Sequence, residues 1–288
     1  MEGIEKQKNE MLFAGHLEEV DDLQKYGRDA PLAETEKNKE DLNVIVDTIA
    51  SRTQELGKKA VMLISSSKMR TEETAKLIGT EIKQRLGDAI KIRYTSEEGL
   101  RAPDQGEFIL PENYEPGSFF EGLKIASDIF YEESLNRSDQ NVHYRFGDPV
   151  VRSDGSYKYP ALAKYFKESG ETYAESLSRL LKLVVEMGEK VEKLHSSVEV
   201  VLVGHGFTYE IFKSLSVLAE KVKNEGVQVN VRDIPHKLSE IYESRVEKLR
   251  DRMCVPLDIT NLGDQELLDL LRDEIKLLEE GELPRREG

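Results

Sequence analysis

Apolar residues fall along this chain in two rhythms. Short unbroken or nearly unbroken runs occur at residues 11–14, at 60–64 (AVMLI) and at 198–203 (VEVVLV). Each run gives way to small or polar residues, the pattern of strands buried on both faces of a parallel sheet. Residues 89–94 (AIKIRY) alternate instead and predict a strand nearer the sheet edge. Elsewhere the apolar positions recur at helical spacing. They are Leu42, Val46, Ile49 and Ala50 in residues 36–56, and Ala75, Ile78 and Ile82 in 70–86. They are Leu177, Leu180, Leu181, Val184, Val185 and Val191 in 172–194, and Phe212, Leu215 and Leu218 in 209–222. Alternating strands and helices predict an α/β fold, a mostly parallel sheet with helices on both faces.

Two stretches break the alternation. Residues 108–168 mix Pro, Gly and aromatic residues around one helical stretch, about 119–135. We read them as an insertion capping one side of an α/β domain that spans residues 1–225. Residues 226–288 read as a helical C-terminal extension, with an alternating piece at 227–231 and helices at 236–253 and 264–280. The last helix carries Leu267, Leu268, Leu270, Leu271, Ile275, Leu277 and Leu278. Such a stripe must cover the domain or a second subunit, so a homodimer is one expectation.

Composition narrows the class. The 288 residues are 38% hydrophobic, enough for a core, and 34% charged, with a formal net charge of −15. That field repels nucleic-acid phosphates and anionic lipid surfaces, so neither is expected as a partner. Any site for an anion must be built from a few positioned cations. With Cys254 as the single cysteine, neither an internal disulfide nor a cysteine metal cluster can form. The charged stretch 1–10 lacks a signal-type apolar core, and no run is long enough to cross a bilayer. A soluble, cytoplasmic protein is the expectation.

The candidate chemistry sits where the predicted strands end. His16 follows the first strand, Arg70 the second and His205 the last. Ligands of open parallel sheets bind beyond the carboxyl ends of the strands, so these three side chains are expected to converge. Walker, dinucleotide, zinc and serine-elbow motifs are missing.

These residues stand in an ordered set of motifs. FAGHLEE holds His16 and Glu18, and DAPL follows at 29–32. SSSKMRTEETA at 65–75 holds Arg70, Thr74 and Ala75. GETYAESLSR lies at 170–179, and VVLVGHGFT at 200–208 holds His205. In type and order, over residues 11 to about 220, the set resembles the histidine phosphatase superfamily, whose fold is phosphoglycerate-mutase-like.

The resemblance implies roles. His16 would attack phosphorus and form a phosphohistidine. Arg70, with its planar fork, and His205 would bind the phosphoryl oxygens, with a backbone donor from Gly206. Positive charge nearby would favour the neutral form of His16. Glu18 falls on the family's Glu, and Arg101, His143 and Arg145 are expected around a small phosphorylated substrate. No metal or cofactor is required.

Some positions depart from the pattern. Gly15 stands where the family has an Arg, and Leu17 where it has a Gly. Arg28, Arg101 and Arg145 are the candidates to replace that Arg. Ala102 stands at the family's acid Glu, leaving Asp104 as the expected proton donor, with Glu107 and Glu98 behind it. Asp22 replaces the mutase-type Asn. The expectation is therefore a phosphomonoester hydrolase. A catalytically impaired relative that binds a phosphorylated ligand or a protein is the alternative, and a phosphoglycerate-type mutase a distant third.

Overall fold

The computed structural model describes residues 10–20, 29–108, 125–127, 129–130, 133–134, 144–148, 152, 154–156, 158, 166–190, 197–225, 234, 237 and 254–280. Five strands form the main sheet. They are β1 (Glu10–Gly15), β2 (Ala60–Ser65), β3 (Lys91–Ser96), β6 (Val198–Gly204) and β7 (Cys254–Asp258), in the order β3-β2-β6-β1-β7. The first four are parallel, while β7 runs antiparallel to β1. Two further strands, β4 (Glu107–Phe108) and β5 (Phe166–Glu168), pair apart from this sheet. The helices are α1 (Glu36–Glu55), α2 (Met69–Leu86), α3 (Tyr173–Lys190), α4 (Gly206–Glu225) and α5 (Gln265–Glu280). In the 119–135 region the described positions between 125 and 134 are helical.

Alternation along the strands builds the core. Leu12, Ala14, Val61, Leu63, Val201 and Val203 point to one face, where Ile45, Val46 and Ile49 of α1 and Ala75, Ile78 and Ile82 of α2 cover them. Met11, Phe13, Val200 and Leu202 point to the other, under Leu177, Leu181, Phe212, Leu215, Leu271 and Ile275 of α3, α4 and α5. A sheet buried on both faces needs strands apolar at every position, which is why the runs read as unbroken. The expected mostly parallel α/β architecture is the one observed.

Local chemistry fixes the helix starts. The Thr35 side chain accepts the Asn38 N–H at 3.1 Å and caps α1. Thr172 and Glu175 form a reciprocal capping box on α3, with bonds of 2.8 and 3.0 Å. The first N–H of α2, at Met69, is instead satisfied from a distance by the Asp29 carboxylate, 2.6 Å away.

The C-terminal part differs from the helical extension expected. Its strand β7 joins the main sheet, with Val255 and Leu257 buried and Pro256 exposed between them. Its leucine-rich helix packs along α3 of the same chain, with Leu267, Leu268, Leu271, Ile275 and Leu278 buried. That stripe, the reason for expecting a second subunit, is thus covered from within. Among the described residues, no helix is long and apolar enough to cross a membrane.

Candidate active site

β1 and β6 are neighbours and end in register, Gly15 opposite Gly204. The next residue of each is a histidine, and the His16 N–H still bonds the Gly204 carbonyl at 3.2 Å. The sheet therefore delivers His16 and His205 side by side, with ring centroids 4.9 Å apart and the rings edge to face. β2 lies on the far side of β6, and the Ser66 N–H extends that pairing to Val203. The Ser66 hydroxyl then reaches His205 Nε2 at 3.2 Å and the Thr71 hydroxyl at 2.7 Å.

Helix α2 brings a cation whose field reaches both rings. Arg70 lies in its first turn and is 8% exposed. Thr74, one turn on, accepts the Leu17 N–H at 3.1 Å and donates to the Arg70 carbonyl at 2.7 Å. One hydroxyl thus locks the loop bearing His16 against the helix bearing Arg70.

The electrostatics follow from burial. Desolvation, then the positive charge of Arg70, lower the pKa of His16 to about 4, partly opposed by its bond to the Leu17 carbonyl. His205 is also held well below its ordinary value, first by burial, then by His16, Arg70, Lys68 and Arg179. Both rings are neutral at pH 7. His16 Nδ1 lies 2.8 Å from the Leu17 carbonyl oxygen. A carbonyl only accepts, so Nδ1 carries the proton and Nε2 keeps its lone pair. A neutral imidazole fixed in this tautomer is a ready nucleophile.

Other expected residues take different places. Glu18 lies at the surface, paired with Lys37, while its backbone N–H and C=O both bond Asn38. Its neighbour Glu19, which the motifs do not single out, carries the carboxylate that reaches Arg70, 2.7 Å from its Nη1. Arg101 and Asp104 belong to a buttress around Glu171. That carboxylate accepts from Arg101, Arg179 and the Asp104 N–H at 2.8–2.9 Å. Burial pushes the Glu171 pKa up, but the Asp104 N–H and the two guanidinium groups outweigh it and hold it below the ordinary value. The chain passes closely here. Gly106 has φ +78°, and a Cβ on Gly170 would collide with the Asp104 carbonyl. The Asp104 carboxylate accepts the Gly106 N–H at 3.0 Å, as turn aspartates do, and faces Arg101 at 3.5 Å.

Glu98 accepts from the Ser67 hydroxyl, Ser67 being next in sequence to the Ser66 that bonds His205, and pairs with Arg101 at 2.9 Å. Arg145 pairs with Glu175 at 3.0 Å beside the start of α3. Gly206 is the first, exposed residue of α4, directly after His205. His143, Arg28 and Asp22 lie outside the described residues. Among the described residues, no cluster of three or more His, Cys, Asp or Glu could hold a metal ion.

The likeness to histidine phosphatases is one of motif order and of where those motifs sit on the sheet. No protein-family model and no curated protein matches the chain. Solved structures are similar at low identity. A protein described as mycobacterial hydrolase 1 is 15% identical, over 74% of this chain and 80% of its own, with a TM-score of 0.42. A mycobacterial glucosyl-3-phosphoglycerate phosphatase complexed with VO3 is 16% identical, over 74% and 83%, at 0.38. A putative alpha-ribazole-5'-P phosphatase from Escherichia coli is 11% identical, over 84% and 87%, at 0.41.

Proposed function

We propose that this chain is a divergent histidine phosphatase that hydrolyses small phosphomonoesters through a phosphohistidine on His16. The observation that carries the reading is the histidine pair at the ends of adjacent strands, His205 buried and His16 half-buried, with His16 Nδ1 tied to a carbonyl and within the field of Arg70. Nε2 attacks phosphorus opposite the ester oxygen. The P–O ester bond breaks as the N–P bond forms, and the leaving alkoxide takes a proton from an acid. Water then attacks the phosphohistidine, gives its proton back to that group and releases orthophosphate. Arg70 and His205 stabilise the charge spread over the phosphoryl oxygens. The scheme needs neither metal nor organic cofactor.

The acid comes from the loop after β3. Asp104 is the carboxylate expected from sequence, but its bond within its own turn favours Glu98, which is tied to Ser67, the neighbour of the Ser66 that bonds His205. Most of the stretch 108–168, expected to shape the substrate pocket, lies outside the described residues. A second reading, a phosphate-binding protein without turnover, is favoured by Ala102 at the acid position and by the carboxylate already on Arg70.

Hydrolysis of an aryl phosphate with EDTA present tests the proposal. The good leaving group reports on the nucleophile whichever residue supplies the proton. The wild type is expected to turn over, His16→Ala to lose at least about a thousandfold in kcat, and Glu98→Gln to lose more than Asp104→Asn on an alkyl phosphate. Wild-type turnover no greater than that of His16→Ala, with the fold intact, leaves the binding protein.

A further inference from the structure

The pocket described above contains a group that works against anion binding. Glu19 Oε2 lies 2.7 Å from Arg70 Nη1, and both side chains are largely withdrawn from water, 29% and 10% exposed. After burial, the positive charge of Arg70 also lowers the pKa of His16, so the carboxylate sits on a cation whose field reaches that ring. Gly15, preceding the nucleophile, contributes no charge. The carboxylate is held in place by its loop. Glu19 forms a bridge with Leu32, the Val20 N–H bonds the Pro31 carbonyl at 2.8 Å, and the Ala33 N–H bonds the Glu18 carbonyl at 2.9 Å. Asn38 clamps the Glu18 backbone from both sides at 2.8 Å.

Resting on the phosphate-pocket reading, we propose that Glu19 is a built-in competitor for phosphate. Its carboxylate takes the Nη1 donor of Arg70, and an incoming phosphoryl group that uses this donor must displace it. Carboxylate and phosphate oxygens use the same planar N–H donors, so they exclude one another at the donor they share. The displaced carboxylate stays tethered beside the phosphoryl group, and like charges at such range repel strongly where water is scarce. Glu19 therefore sets how weakly the pocket holds phosphate. The site is tuned against retaining orthophosphate, the product, and against substrates with a second phosphate close to the first. Positioning is the opposing role. A carboxylate that merely held Arg70 in its working rotamer would strengthen phosphate binding, so the two roles predict opposite signs.

Titration calorimetry of orthophosphate into the full chain at pH 7 and fixed ionic strength separates them, using wild type, Glu19→Gln and Arg70→Ala. Gln keeps the size and one acceptor oxygen and removes the charge. Binding to Glu19→Gln is expected to be at least about tenfold tighter than to wild type, and binding to Arg70→Ala to be lost. Glu19→Asp, which restores the charge, is expected to return to the wild-type side. Equal or weaker binding by Glu19→Gln, with Arg70→Ala still silent, overturns the competitor role and leaves the pocket standing. No binding by any variant overturns the pocket reading and the competitor with it. Glu19→Ser, uncharged and smaller, is read the same way if Glu19→Gln does not fold.

Discussion

His16 combines two properties that a free imidazole does not have together: one fixed tautomer and a proton affinity far below its ordinary range. Its ring is expected to titrate at about 4 instead of 6.5, read from the imidazole proton shifts of the free protein. The same shift bears on stability. Between pH 6.5 and 4 the unfolded chain protonates this residue and the folded chain does not. The contribution of this residue to folding stability therefore falls as pH falls, by about 1.4 kcal/mol per unit and on the order of 3 kcal/mol in all. His16→Asn is expected to remove that contribution from the stability–pH curve measured by urea unfolding. At this scale the sequence was readable where a residue type follows a strand, as with His16, Arg70 and His205. Glu19 was not readable, because Glu18 occupies the motif position and only the turn of the loop decides which of the two carboxylates faces Arg70. The Arg101–Glu171–Arg179 buttress joins segments whose spacing along the chain carries no sign of contact.

Helices were the most legible elements, because α1 to α4 each bury a stripe at regular spacing. β7 escaped notice for physical reasons. It is short, antiparallel and at the sheet edge, and Pro256 in its middle argues against a strand unless that residue faces away from the ladder. Helix α5 shows what periodicity alone leaves out. Its inward stripe includes Glu274, which is fully buried, with neither carboxylate oxygen hydrogen-bonded, and burial pushes its pKa up to about 8. Folding must then take up a proton above pH 4.5, so this residue costs stability increasingly as pH rises from 4.5 to about 8. At pH 7 the cost is on the order of 3 kcal/mol, at about 1.4 kcal/mol per unit. Glu274→Leu is expected to stabilise the protein by about 2–3 kcal/mol at pH 7 and by much less at pH 5. Denaturant unfolding at the two pH values checks this. A gain of equal size at both would mean that packing, not charge, is responsible.

The molecule as a whole carries −15, while its pocket draws on Arg70, which Glu19 partly offsets. Under the proposed function, a dianionic substrate would approach against the long-range field and be held by a short-range one. Salt screens the first more than the second. Raising NaCl from about 10 to 150 mM is expected to increase kcat/KM for an aryl phosphate by roughly two- to threefold with kcat unchanged. A fall in kcat/KM would show that local attraction governs the encounter. The strand order has a further consequence during synthesis. β1, which leads to His16, is made before both of its neighbours in the sheet, β6 and β7. As the chain leaves the ribosome, one edge of this apolar strand stays open until β6, ending at Gly204, has emerged, and the other until β7, ending at Asp258, has followed. Unpaired strands of this kind invite intermolecular pairing, and pairings so distant in sequence form slowly. The nascent chain thus depends on something to shield β1, which makes slowed translation, lower temperature or a co-expressed chaperone the levers on soluble yield.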